Sequence, residues 1–392
     1  MSAIGGVISK DTGLSPNRLL PEMSRAMILR GRDRRGAYLC RGLGLFYNGM
    51  RSDRNGLPLQ PVTLTQDEGR YTVVLDGTLC REDDTARLYR ELGEGSDASL
   101  VLHTYLAFGT EFAKHLRGAF ALAICDEKRG EVILARDEDG LRPLYYTTEN
   151  DSLVFASEIK GLFHSLRGKA RIDTGRLRAH LLSPAGSLGA EDLYRDISSL
   201  PAGHCGIHSR LGMNVFPYER EPATAPQEST PSGILPEFYC PDENEMAEML
   251  HETLFAFDYP QFDPLIPSHL KFLKAEAKGR KKFSVVLADG TLFADIGYAR
   301  ERADRLGTLV GLSVQSVPPE KNVLLREREL KKMERTLTRL FSASDWTALT
   351  RLLGEDWQSY VQKEKNTARR IRMLGMLYQT LLWEKHYPIL FL

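Results

Sequence analysis

Three adjacent hairpin signals constrain the first 165 residues more than any other feature. Residues 38–47 are broken by Gly42 and Gly44. Residues 119–125 and 131–135 flank Asp126-Glu127-Lys128-Arg129-Gly130, and residues 144–148 and 153–156 flank Glu149-Asn150-Asp151-Ser152. Neighbouring hairpins build antiparallel sheets, and an apolar sheet face needs a cover. Residues 3–9 and 71–75 read as further strands, the second ending on the turn dipeptide Asp76-Gly77. Helical patterns at 84–92 and 98–116 supply the cover. The longer one carries Leu102, Leu106 (or Tyr105) and Leu116 on one stripe and follows Ser96-Asp97, which reads as its N-cap. The expected fold class is α+β.

Residues 222–236 hold four prolines among Ser, Thr, Gln and Gly, which reads as a linker. Beyond it the period becomes helical at 244–257, 346–361 and 368–385, with Leu330, Met333, Leu337 and Leu340 on another amphipathic stripe. Residues 283–287 (FSVVL) read as a short buried strand. Lys plus Arg and Asp plus Glu each number 52, so the chain is neutral and a poor general polyanion binder; no nucleic acid is expected as partner. No apolar run reaches a membrane span and the start MSAIGGVISK lacks the pattern of a secretory signal, so no membrane is expected either. Five cysteines without a CxxC pair fit a reducing, cytoplasmic setting and argue against a cysteine zinc site. His204 and His208 have no third ligand nearby, so no metal is expected there. The run Arg30-Gly31-Arg32-Asp33-Arg34-Arg35 reads as a solvated loop, Glu327 and Lys331 as a solvated i,i+4 pair, and Asp289-Gly290 as a strand-end turn.

One ordered series of motifs is specific. Gly95-Ser96-Asp97 is followed by LRGAFALAICDEKRGEVILARDEDGLRPLYY and LVFASEIKGL. Together with Arg30-Gly31, Asp33 and the LPAGH turn at Leu200–His204, these resemble the glutaminase domain of the asparagine synthetases, which are class II glutamine amidotransferases. The resemblance covers about residues 1–220. It implies an αββα sandwich of the Ntn type over 1–220, a linker at 221–236, and a smaller, mostly helical remnant of the synthetase α/β domain over 237–392. The second half is loosely similar to a later family stretch through Asp258-Tyr259-Pro260, Ile266-Pro267-Ser268-His269-Leu270, the strand before Asp289, and Gly297-Tyr298. The family's SGGLDSS loop, whose backbone amides cradle pyrophosphate, is absent. ATP and magnesium serve the family; no cofactor is expected here. The chain also reaches Leu392 before the family's final helical signatures, which reads as truncation.

The resemblance also assigns site positions. Family members use an N-terminal Cys thiol as nucleophile and its own α-amine as base. Here Ser2 holds that position, reached by removal of Met1. The family Asn and Gly that form the oxyanion hole correspond to Asp76 and Gly77. An ionised Asp76 offers only acceptors where negative charge would develop, and losing one oxyanion donor costs roughly 10²–10³ in rate. Arg51 and Asp97 match the residues that hold the glutamine carboxylate and α-amine, and Thr78 replaces a Glu that helps hold the amine. The leading expectation is a catalytically degenerate family member that binds glutamine or another small amino acid. Its expected partner is a second copy or an intact asparagine-synthetase-like protein. The alternatives are an Ntn amidohydrolase using Ser2, and a glutamine-hydrolysing asparagine synthetase completed by a partner.

Overall fold

The expected hairpins form, and they join into two six-stranded antiparallel sheets. The computed structural model describes residues 2–9, 12–49, 60–80, 95–149, 151–166, 170–182, 190–218, 236–279, 284–288, 305–306, 313–317, 327–354 and 356–391. The helix expected at 84–92, the Asp289-Gly290 turn and nearly all of the linker at 221–236 lie outside these residues. The chain divides into two units. One comprises Met1–Arg167 and Asp196–Pro226, the other Gly168–Arg195 and Gln227–Leu392. The segment Gly168–Arg195 thus groups with the second unit.

In the first unit the elements run β1 (Ser2–Ile8), α1 (Pro16–Ala26), β2 (Arg34–Cys40), β3 (Leu43–Gly49), β4 (Val62–Gln66), β5 (Gly69–Leu79) and α2 (Asp97–Phe108). There follow β6 (Gly118–Asp126), β7 (Glu131–Arg136), β8 (Tyr145–Glu149) and β9 (Ser152–Ala156). After β10 (Ala170–Ile172), which belongs to the second unit, come β11 (Ser198–Ser199), β12 (His204–Ser209) and β13 (Gly212–Pro217). One sheet has the order β11-β8-β9-β1-β3-β2, the other β13-β12-β7-β6-β5-β4.

Alternation along each strand sorts the side chains into layers. Ile4, Leu43 and Leu45 of the first sheet form one core with Val74, Ala121, Ala123 and Leu134 of the second. The opposite face of β5, with Tyr71, Val73 and Leu75, packs under Leu100, Val101 and Tyr105 of α2. Helix α1 covers β1 and β3 from the other side. A Cβ at Gly44 would sit 2.6 Å from Leu20 Cδ1, so glycine there admits α1. The order of layers is helix, sheet, sheet, helix.

Several local expectations need correcting. Asp76-Gly77 is no turn: β5 runs through it, with Asp76 opposite Ala121 and Gly77 opposite Phe120. Gly77 is needed for another reason. Its φ is +127°, and a Cβ there would lie 1.9 Å from the Ala119 carbonyl oxygen. Helix α2 stops at Phe108 and tightens into a 3₁₀ segment, Gly109–His115. Its cap is Ser96, whose hydroxyl accepts from Ser99 N at 3.1 Å; Asp97 is the first helical residue.

The second unit is mainly helical, as expected. It contains α3 (Thr174–Leu182), α4 (Ala190–Leu193), α5 (Glu243–Phe257), α6 (Ile266–Gly279), α7 (Glu327–Ser342), α8 (Thr347–Leu353), α9 (Trp357–Lys363) and α10 (Thr367–His386). Asp242 and Glu245 form a reciprocal capping box at the start of α5. Met333 and Leu337 are the buried members of the α7 stripe, and Glu327 pairs with Lys331 at 2.7 Å on its exposed face. The single helix expected over 346–361 is two, α8 and α9, with Gly354 between them. Strand β14 (Ser284–Ala288) contains most of the FSVVL run and pairs in parallel with β15 (Ser313–Val317); β10 pairs in parallel with β16 (Ile389–Phe391). No helix among the described residues is long and apolar enough to cross a membrane.

Candidate functional site

Ser2 opens β1 and points to the same side as Ile4, into the space between the sheets. Asp76 points into that space from β5, on the face that carries Val74. Their side chains meet: Ser2 Oγ donates to Asp76 Oδ1 at 2.7 Å. Ser2 is 7% exposed and Asp76 is fully buried.

A buried carboxylate needs a partner charge, and Arg30 supplies it. Arg30 follows the apolar run Met27-Ile28-Leu29 and ends a short 3₁₀ turn, Ile28–Arg30, that turns it inward. It is fully buried, not part of the solvated loop expected from its basic neighbours. Its Nη2 lies 3.1 Å from Asp76 Oδ2, its Nε donates to Ser2 O at 2.8 Å, and its Nη1 lies 3.7 Å from Glu158 Oε1. Lys160 Nζ closes the chain at 2.8 Å from Glu158 Oε2. Among the described residues, Arg30, Asp76, Glu158 and Lys160 thus form one buried ionic network. Ser157 joins it: its Oγ donates to Asp76 Oδ2 at 3.3 Å and accepts from Ile4 N at 3.0 Å, which ties the end of β9 to β1.

Tyr47 on β3 stands opposite Ile4 of β1, on the face that Ser2 shares. Burial pushes its phenol up, and the Asp76 charge pushes it further, so Tyr47 keeps its proton. Of the other expected residues, Gly77 stands next to Asp76 on β5 and Thr78 is exposed. Asp97 is half-buried, and its Oδ2 accepts from Leu79 N at 2.9 Å, which fastens the start of α2 to the end of β5. Arg51 lies outside the described residues. Sequence reasoning gave no role to Arg30, Tyr47, Ser157, Glu158 or Lys160. The signals for Arg30 were the apolar run before it and its place in the Arg30-Gly31 motif of the resemblance.

The direction of the hydrogen bonds decides what the site can do. All three donors around Asp76 point at it, as a carboxylate requires. The Ser2 proton is directed at an acceptor that is a far weaker base than an imidazole or an α-amine. Asp76, the position expected from the resemblance to help form an oxyanion hole, presents a carboxylate that offers acceptors rather than donors. Among the described residues no group of His, Cys, Asp and Glu could hold a metal ion, and His204 and His208 lie on β12.

A family model described as a glutamine amidotransferase domain matches residues 1–219. The chain belongs to the class II glutamine amidotransferase family. Asparagine synthetase [glutamine-hydrolyzing] 3 of Bacillus subtilis is 33% identical over 164 residues, covering 41% of this chain and 26% of that protein. Putative asparagine synthetase [glutamine-hydrolyzing] 1 of Methanocaldococcus jannaschii is 30% identical over 190 residues, covering 42% of this chain and 34% of that protein. This amidotransferase-family chain therefore spans about a third or less of these relatives. Among solved structures, the glutamine phosphoribosylpyrophosphate amidotransferase of B. subtilis overlays with a TM-score of 0.43 at 14% identity, over 84% of this chain and 70% of that one.

Proposed function

We propose that residues 1–219 form an Ntn-type amidotransferase domain that has given up glutamine hydrolysis and keeps an amino-acid-binding role. The observation that carries this reading is the Ser2–Asp76 hydrogen bond with Arg30 behind it. It occupies the nucleophile with an acceptor and sets a paired carboxylate where a tetrahedral intermediate would need donors. The helix–sheet–sheet–helix order supports the Ntn reading. The names of the relatives support glutamine as the amino acid. Arg51 and Asp97 would hold its carboxylate and ammonium groups through charge-assisted bonds. The sequence carries no pyrophosphate-binding loop, so asparagine synthesis would require an intact asparagine-synthetase-like partner; a second copy of this chain would lack the loop as well.

Calorimetric titration of the full chain with L-glutamine tests the binding role. Heat of binding is expected, lost in Arg51→Ala, with the glutamine recovered intact. Absence of binding would make the domain a scaffold rather than a receptor.

A further inference from the structure

Helices α7, α9 and α10 of the second unit each turn one stripe toward a common cleft of about 500 Å³. This is a normal size for a small-molecule site. The stripes of α7 and α10 each run from a charged residue to an apolar one, Glu334 to Phe341 and Arg370 to Leu374. Glu334 and Phe341 are seven residues apart on α7, so an ionic end and an aromatic end lie about 10 Å apart along that helix.

At the aromatic end Phe341 and Trp346 stack, with centroids 3.4 Å apart and planes 24° from parallel, and Trp357 meets them at 5.5 and 5.6 Å. Both indole N–H groups are already used. Trp346 Nε1 donates to Phe341 O at 2.8 Å and Trp357 Nε1 to Thr350 Oγ1 at 3.2 Å. These three rings therefore offer carbon and π surface only.

At the ionic end Arg370 Nε pairs with Glu334 Oε1, and Arg370 Nη1 donates to Glu364 O at 2.6 Å. The side chains are 26% and 20% exposed for Arg370 and Glu334, so solvent and solutes reach them. Glu334 Oε2 and Arg370 Nη2 have no partner among the described residues. An unused acceptor on an anion thus stands beside an unused donor on a cation. A ligand of one sign would be attracted by one group and repelled by the other. A zwitterion matches both.

We propose that this cleft binds a free α-amino acid with an aromatic side chain. Its ammonium group lies on Glu334 Oε2, its carboxylate on Arg370 Nη2, and its ring against the Phe341, Trp346 and Trp357 cluster. This site is separate from the residues assigned to glutamine, and it stands whether or not the first unit binds that amino acid.

L-Phenylalanine is the probe, because its ring does not interfere with tryptophan emission. Two of the three tryptophans of the chain line the cleft. Titrating the full chain should give a saturable change in tryptophan emission and a matching calorimetric heat. Glu334→Gln and Arg370→Gln should each weaken binding about tenfold or more, because each removes a bond to a charged group. Phenethylamine and phenylpropionate, each with one charge, should bind more weakly than phenylalanine, and excess L-glutamine should not displace it. Circular dichroism of both variants establishes that they fold. A retained wild-type affinity in both folded variants would overturn the proposal. So would displacement by glutamine, equal binding of a singly charged analogue, or no response up to about 10 mM, where even a millimolar site fills.

Discussion

Ser2 and Asp76 lie 74 positions apart in the sequence and share a buried hydrogen bond of 2.7 Å. The bond joins the first strand of one sheet to the fifth strand, in the other, and the charge it brings inside is matched by Arg30 at 3.1 Å. The energetic weight of the site therefore rests on Arg30 rather than on Ser2.

Replacing Arg30 should show this. Arg30→Met leaves Asp76 buried without its Arg30 partner and takes one cation away from Glu158. Breaking a buried pair by removing one partner costs about 3–5 kcal/mol. Urea unfolding of the variant should show a loss of that size in the transition of the first unit, whereas Ser2→Ala, which removes one neutral donor, should cost about 1 kcal/mol.

Gly77 is a second point of intolerance. Its φ is +127°, and the Ala119 oxygen lies 1.9 Å from where a Cβ would stand, so no side chain fits. Gly77→Ala should cost about 3 kcal/mol or more, because β5 and β6 must separate locally. Weakened amide-exchange protection confined to residues 74–79 and 118–122 is the expected signature.

Ser96 and Asp97 should separate by function. Ser96→Ala removes the cap of α2 and should cost about 1 kcal/mol of stability, with little effect on ligand binding. Asp97→Ala removes the tie to Leu79 N and the group assigned to the amino-acid ammonium, so it should weaken glutamine binding as well. Melting curves and calorimetry on the two variants distinguish these outcomes.

The second unit should lose stability in acid through His180. This side chain is fully buried, with Nε2 at 3.0 Å from Pro260 O. Burial lowers its pKa to about 4, and the Arg372 charge adds to the lowering. An unfolded His titrates near 6.5. Between about pH 6.5 and 4 the unfolded state therefore binds the extra proton, so stability falls as pH falls through that window and levels off below it. The loss should reach about 3 kcal/mol. His180→Gln should flatten this dependence in urea titrations run across the window.

The hairpins were legible because each carries its own turn chemistry: the breaks at Gly42, at Asp126–Gly130 and around Asp151 all fall between paired strands. Asp76-Gly77 carries the same signal and deceives, because the positive φ of Gly77 serves a strand that stays paired on both sides of it. Ser2 and Asp76 were found as positions in a motif, but their contact was not, since it depends on how two sheets face one another. Arg30 was misread for a related reason. A basic run suggests solvent, and only the tertiary structure reveals a carboxylate waiting in the interior.

Glutamate release from L-glutamine, compared between the full chain and its Ser2→Cys/Asp76→Asn double variant, tests the proposed loss of glutamine hydrolysis most directly. The double change restores a thiol and an oxyanion donor and removes the charge that Arg30 now neutralises. The unmodified chain should release no glutamate above the uncatalysed rate, and the double variant should gain measurable release that Arg51→Ala abolishes. Steady release by the unmodified chain, stopped by Ser2→Ala, would contradict the closed site and make Ser2 a working nucleophile.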